Sequence, residues 1–160
     1  MREMAIKKFV KYVKTIELVV LTLLGITATL VMVSNAIGRY VLGISIAWAE
    51  EIVRILFVWS VFIAITHGFI KNEHIGFKNI SMITPTTRYL SDLLYAISLV
   101  FVGGALGYYG WNYNLMTGSV PLPGTNFPTA VFMLPGILAG FIWFFIGFLR
   151  LIVLLRKGRE

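Results

Sequence analysis

The chain has 160 residues, of which 58% are hydrophobic and 13% charged, with a formal net charge of +7 and a mean hydropathy of +0.85. This composition excludes an ordinary soluble domain and points to a membrane protein. The chain has no cysteine, which excludes disulfides, thiol catalysis and cysteine-ligated metal sites.

The chain opens with Arg2, Lys7, Lys8, Lys11 and Lys14. Between these, Ile6, Phe9, Val10 and Val13 fall on one helical face, so residues 2–14 suit an interfacial amphipathic helix on an anionic leaflet. A solvated basic start is the alternative. From Leu18 to Gly38 there are 21 uncharged residues, enough to cross a hydrocarbon core about 30 Å thick. Ser34 and Ala36 would suit a signal cleavage site, but the apolar run exceeds a usual signal core and reads as a retained anchor.

The connection from Arg39 to Ala47 is short and contains Gly43, so the first two spans are expected to be antiparallel neighbours. From Ile55 to Ile70 only 16 residues are uncharged, so the second span must recruit the charged stretch Trp48-Ala-Glu50-Glu51-Ile-Val-Arg54 for its first turns. The next connection ends in Thr84 and Pro85, a helix cap followed by a residue suited to the first helical position. Between Asp92 and Arg150 lie 57 uncharged residues, too many for one helix. Three prolines and two glycines in Tyr113 to Pro128 read as a turn or extended loop that divides the run into two spans. Gly103 and Gly107 in the third span, and Gly136, Gly140 and Gly147 in the fourth, mark faces where backbones approach closely. Pro135 is expected to bend or break the start of the fourth helix.

The expected fold is therefore an all-α integral membrane protein, a single domain over 1–160. Its four transmembrane helices cover about 16–38, 50–70, 90–112 and 129–150. Basic residues concentrate before the first span, between the second and third, and after the fourth, which places both termini in the cytoplasm. The positive charge then serves topology and lipid contact, with no nucleic-acid binding.

Glu50 and Glu51 are the carboxylates that could carry protons. Arg54 lies four residues after Glu50 and three after Glu51, in the favourable order for helical ion pairs, and both acids fall in the first turns, where the helix dipole favours negative charge. Each charge at mid-membrane costs roughly 2.5 to 3.5 kcal/mol, so the cluster belongs at an interface, where Trp48 would anchor it. It reads as an ion-paired helix entrance, and Arg39 could meet either acid across the short connection. Trp59 lies about three turns beyond Trp48, on nearly the same face. His67 and His74 straddle the end of the second span without the partners a haem or metal site requires. No catalytic, cofactor or metal constellation is present, and an enzyme is not expected.

In order along the chain, Asn35, Arg39-Tyr40, Ser45-Ile46, Trp48, Glu50-Glu51, Arg54, Trp59, Glu73-His74-Ile75, Pro128 and Pro135-Gly136 resemble the small membrane subunit, DctQ type, of tripartite ATP-independent periplasmic (TRAP) transporters. The resemblance covers essentially the whole chain. It implies a non-catalytic subunit of the bacterial inner membrane that scaffolds a large multi-span permease subunit and helps dock a periplasmic solute-binding protein. The solute would be a carboxylate such as a C4-dicarboxylate or sialic acid, taken up by sodium-coupled symport, with both solute and sodium sites in the large subunit. Asn35, Arg39, Tyr40, Trp48, Glu50, Glu51, Arg54, Trp59 and His74 then become candidates for inter-subunit or structural contacts, together with the loop around Pro121 to Pro128. The alternative is a self-sufficient four-helix proton-coupled exporter using Glu50 or Glu51. A membrane redox subunit, the third class, would need matched histidines or cysteines.

Overall fold

A computed structural model describes residues 2–44, 46–70 and 85–157. They form four helices: α1 (Arg2–Val41), α2 (Ala47–Ile70), α3 (Pro85–Thr117) and α4 (Ala130–Lys157). Each contains a stretch long and apolar enough to cross a membrane: Lys14–Val41, Ala47–Phe69, Thr87–Thr117 and Ala130–Arg156. Four membrane helices were expected, and four are found. The stretches run longer than the expected spans because the helices continue past the residues where connections were expected, most clearly at Tyr113–Thr117.

The residues divide into two compact units, one of 1–63 with 121–127 and one of 64–120 with 128–160. In the first unit, α1 is uninterrupted for 40 residues, about 60 Å at 1.5 Å per residue. The basic start is thus the first third of the first helix and not a separate element. Beyond it only a narrow stripe of α1 is shielded, comprising Glu17, Leu21, Leu24, Ala28, Val31, Asn35 and Gly38 at alternating spacings of four and three. This is the seam of a helix that half-buries one line of side chains. The rest of its apolar surface is exposed, including Leu18, Leu23, Leu30 and Ile37, as suits a helix clothed by lipid or by another protein.

α1 ends in a built turn. Gly43 takes φ +68°, a conformation that favours glycine, and the Ile44 N–H donates back to the Gly38 carbonyl at 2.9 Å. The Asn35 side-chain oxygen accepts the Ile46 N–H at 3.3 Å, holding the connection against the last turns of the helix it left.

In the second unit α3 and α4 pack backbone to backbone. A Cβ added at Gly103 would stand 2.7 Å from the Gly140 carbonyl oxygen, and one at Gly140 would stand 2.6 Å from the Gly107 nitrogen. A Cβ at Gly147 would come within 2.8 Å of Leu99 and Val100. The packing faces read from Gly103, Gly107, Gly140 and Gly147 are therefore those the helices use. Ala96, Leu99, Ile137, Ala139 and Trp143 are buried around them. The last turns of α2 belong to this unit and are tied to it by polar contacts. The Trp143 indole N–H donates to Thr66 Oγ1 at 2.9 Å, and Arg150 donates to the Phe69 carbonyl at 2.7 Å. The Arg150 guanidinium also lies 4.9 Å from the Tyr95 ring centre, within cation–π range.

One local expectation is narrowed and one is corrected. Pro135 lies inside α4 without breaking it. It is the sixth residue, in the second turn, and the entry ahead of it is tightened by i to i+3 bonds, from Val131 N–H to Pro128 and from Phe132 N–H to Thr129. The stretch from Tyr113 to Thr117 is helix and not loop. Thr117 Oγ1 bonds within the helix, donating to the Tyr113 carbonyl at 2.9 Å, and Asn112 just before the stretch donates to the Tyr108 carbonyl at 3.0 Å. Polar residues bonded in this way are compatible with a continuing helix. The chain leaves the helix only at Gly118. Pro85 does begin α3; Thr84, its expected cap, lies outside the described residues.

Candidate functional site

The first unit brings the start of α2 together with the tip of the α3–α4 loop. The Glu51 carboxylate accepts hydrogen bonds from Gly124 N–H at 2.7 Å, Thr125 N–H at 2.8 Å and Thr125 Oγ1 at 2.8 Å. Two successive backbone amides and a hydroxyl converging on one carboxylate form an anion cradle. Its local geometry follows from the sequence Pro-Leu-Pro-Gly-Thr-Asn-Phe. Leu122 N–H pairs with the Phe127 carbonyl at 2.8 Å, and Asn126 N–H pairs with the Leu122 carbonyl at 2.9 Å, while Asn126 takes φ 57°, a region that asparagine tolerates. These bonds close a small loop whose tip amides point outward. Gly124 eases the approach, because a Cβ there would lie in tight contact, 3.0 Å from the Ala47 carbonyl oxygen and 3.1 Å from the Glu51 carboxyl carbon.

The expectation of an ion-paired entrance is thereby replaced for Glu51. Its hydrogen bonds come from the loop, and Arg54 bears on it only through its charge. Among the described residues neither Glu50 nor Arg54 makes a hydrogen bond or ion pair. Glu50 and Glu51 are successive on a helix and point about 100° apart. Glu51 turns to the loop. Glu50 faces a different neighbour.

That neighbour is a recess of about 490 Å³ between the end of α1 and the start of α2, lined by Asn35, Arg39, Tyr40, Glu50 and Arg54 together with apolar residues. Five of the nine contact candidates named from sequence thus share one cavity. Arg39 lies 6.0 Å from the Tyr40 ring centre, and Arg39, Glu50 and Arg54 are all exposed. Trp48 is 47% exposed at the start of α2, whereas Trp59 is half-buried, so the two tryptophans differ in surroundings despite their matching helical phase. His74 lies outside the described residues, as do Ser45 and Glu73. No group of histidine and acidic residues among the described residues could hold a metal ion.

Sequence reasoning named the loop and named Glu51 but did not join them. Gly124 and Thr125 were missed as partners. The available signal was a glycine and a hydroxyl residue adjoining at the tip of a proline-bounded turn, a composition suited to cradling an anion.

No curated protein matches the chain. The sequence profile described as "Tripartite ATP-independent periplasmic transporters, DctQ component" matches residues 28–157, from the middle of α1 to the end of α4. The profile spans the recess, the Glu51 clasp and the α3–α4 pair. The chain therefore belongs to the DctQ family, the small subunits of TRAP transporters, which are transport components of the inner membrane and not enzymes.

Proposed function

We propose that this chain is a fixed scaffold for the large subunit of a sodium-coupled TRAP system, and that its α1–α2 end helps receive the periplasmic solute-binding protein. Both termini face the cytoplasm in this reading, because twelve of the fourteen basic residues then lie on the cytoplasmic side. The α1–α2 connection and the α3–α4 loop face the periplasm together, as alternating crossings require. The transported solute is a carboxylate such as a C4-dicarboxylate or sialic acid, held by the partners and not by this chain.

The observation that carries the reading is the clasp itself. A carboxylate held by three donors fixes a loop; a carrier must exchange its proton and its surroundings in each cycle. Glu51 is thereby disfavoured as the proton carrier of a self-sufficient exporter. Glu50 is the fourth residue of α2, at the mouth of a recess beside two arginines, at the end of a span and not along it. The exposed Pro123, Asn126 and Phe127 surround the clasped tip and offer a preformed surface, which lowers the ordering entropy of docking.

The test is purification in mild detergent followed by reconstitution. The chain is expected to co-purify with a larger multi-span protein, to transport nothing alone, and to support sodium-dependent uptake only with both partners present. Solute flux through liposomes containing this chain alone would overturn the scaffold assignment.

A further inference from the structure

We propose that the recess between α1 and α2 is a binding site for a phospholipid whose headgroup carries both a phosphate and a primary ammonium, as in phosphatidylethanolamine. Three observations point to it. First, the mouth carries both signs of charge: Arg39 and Arg54, which suit a phosphate, and Glu50, which suits an ammonium. Neither Glu50 nor Arg54 has an intramolecular hydrogen bond or ion pair among the described residues, and the recorded contact of Arg39 is with the adjacent Tyr40 ring.

Second, the lining changes character with depth. Met32 lies seven residues before Arg39 on α1, about 10 Å further into the span, and Phe57 lies three residues beyond Arg54 on α2, about 5 Å further in. Both line the recess and both are 65% exposed. A charged mouth above an open apolar floor matches the order of groups along a lipid, from headgroup through glycerol to acyl chain. The volume of about 490 Å³ lies within the ordinary range of small-molecule sites.

Third, Arg39 lies in the last turn of α1 beside Tyr40, and Arg54 lies two turns into α2, from where its long side chain can reach back toward the headgroups. A carboxylate from a protein partner would satisfy the arginines but would leave Glu50 facing a like charge. A zwitterionic headgroup satisfies all three.

The experiment is native mass spectrometry of the full chain, delipidated in mild detergent and titrated with phosphatidylethanolamine, phosphatidylcholine or phosphatidylglycerol. Wild type is expected to bind a single phosphatidylethanolamine more tightly than either other lipid, since the choline ammonium has no N–H to donate and the glycerol headgroup has no cation. Arg39→Gln with Arg54→Gln is expected to weaken binding by about tenfold or more, as for the loss of charge-assisted hydrogen bonds. Arg39→Lys with Arg54→Lys should restore most of it. Glu50→Gln should remove the preference for phosphatidylethanolamine over phosphatidylglycerol while leaving binding in place. Should the glutamine double variant fail to purify, Ala36→Trp fills the recess without changing its charge and should abolish binding. Equal binding by wild type and these variants, or no preference among the three lipids, overturns the proposal. So does displacement of the lipid when the chain is isolated with its large subunit, which would assign the recess to a protein side chain.

Discussion

Glu51 and Gly124 show how much rests on a single contact that no local pattern announces. They are separated by 73 positions, and nothing in the spacing of Glu50, Glu51 and Arg54 distinguishes an acid that faces an arginine from one that faces a distant loop. The helical arithmetic favoured Arg54, and the structure gives the carboxylate to backbone amides instead, because two adjacent N–H groups and a hydroxyl satisfy more of its lone pairs than one exposed guanidinium can. Glu51→Gln is therefore expected to raise the hydrogen-exchange rates of the Gly124 and Thr125 amides, with Arg54→Ala changing them much less. Equal exchange in both variants would return the carboxylate to Arg54. Gly124→Ala presses a methyl group onto the Ala47 carbonyl and should destabilise the purified chain by about 1 to 3 kcal/mol, read as a lower midpoint of thermal unfolding. Asn35 teaches a different lesson. It was singled out by resemblance, while its physical role, accepting the Ile46 N–H, concerns a turn that the sequence had already read as short.

At the scale of elements, the number of spans was legible because charge-free length is a direct consequence of bilayer thickness. The boundaries were less so. Residues 113–117 read as loop because asparagine, threonine and nearby prolines resemble turn chemistry, yet Thr117 returns its hydroxyl to the Tyr113 carbonyl and the helix continues. Pro135 read as a bend or break because it removes a donor and crowds the preceding turn, yet α4 runs through it unbroken. The glycine faces were legible since close backbone approach leaves few other residue types, and they now support a sharp expectation. Gly140→Leu forces a branched side chain between the α3 and α4 backbones and should cost about 3 kcal/mol or more, which would appear as loss of folded protein in detergent. Gly25→Leu, whose added Cβ meets nothing within 4 Å, should be recovered normally. Arg150 belongs at this scale too, since it joins α4 to the last turn of α2. Arg150→Ala removes a hydrogen bond to the Phe69 carbonyl and a cation–π contact, together about 2 kcal/mol. Arg150→Met, which keeps the packing but neither polar contact, should be nearly as unstable in the same unfolding assay.

For the whole molecule, class and membrane residence were legible from composition, and the family from the order of weak motifs. The division of labour between the two units was not, since it depends on which surfaces meet. α3 and α4 touch through main chain, where neither partner has a rotamer to change. Side chains can yield to a passing neighbour, while backbones in contact can only move together or separate. The pair is consequently a stiff strut, with its compliance confined to the exposed outer faces. A large subunit that changes conformation beside it would meet an unyielding wall, and relative motion would be taken up at the boundary between the proteins. Crosslinks placed within the α3–α4 pair should then leave transport by the assembled system unaltered, whereas crosslinks from this chain to the moving part of its neighbour should stop it.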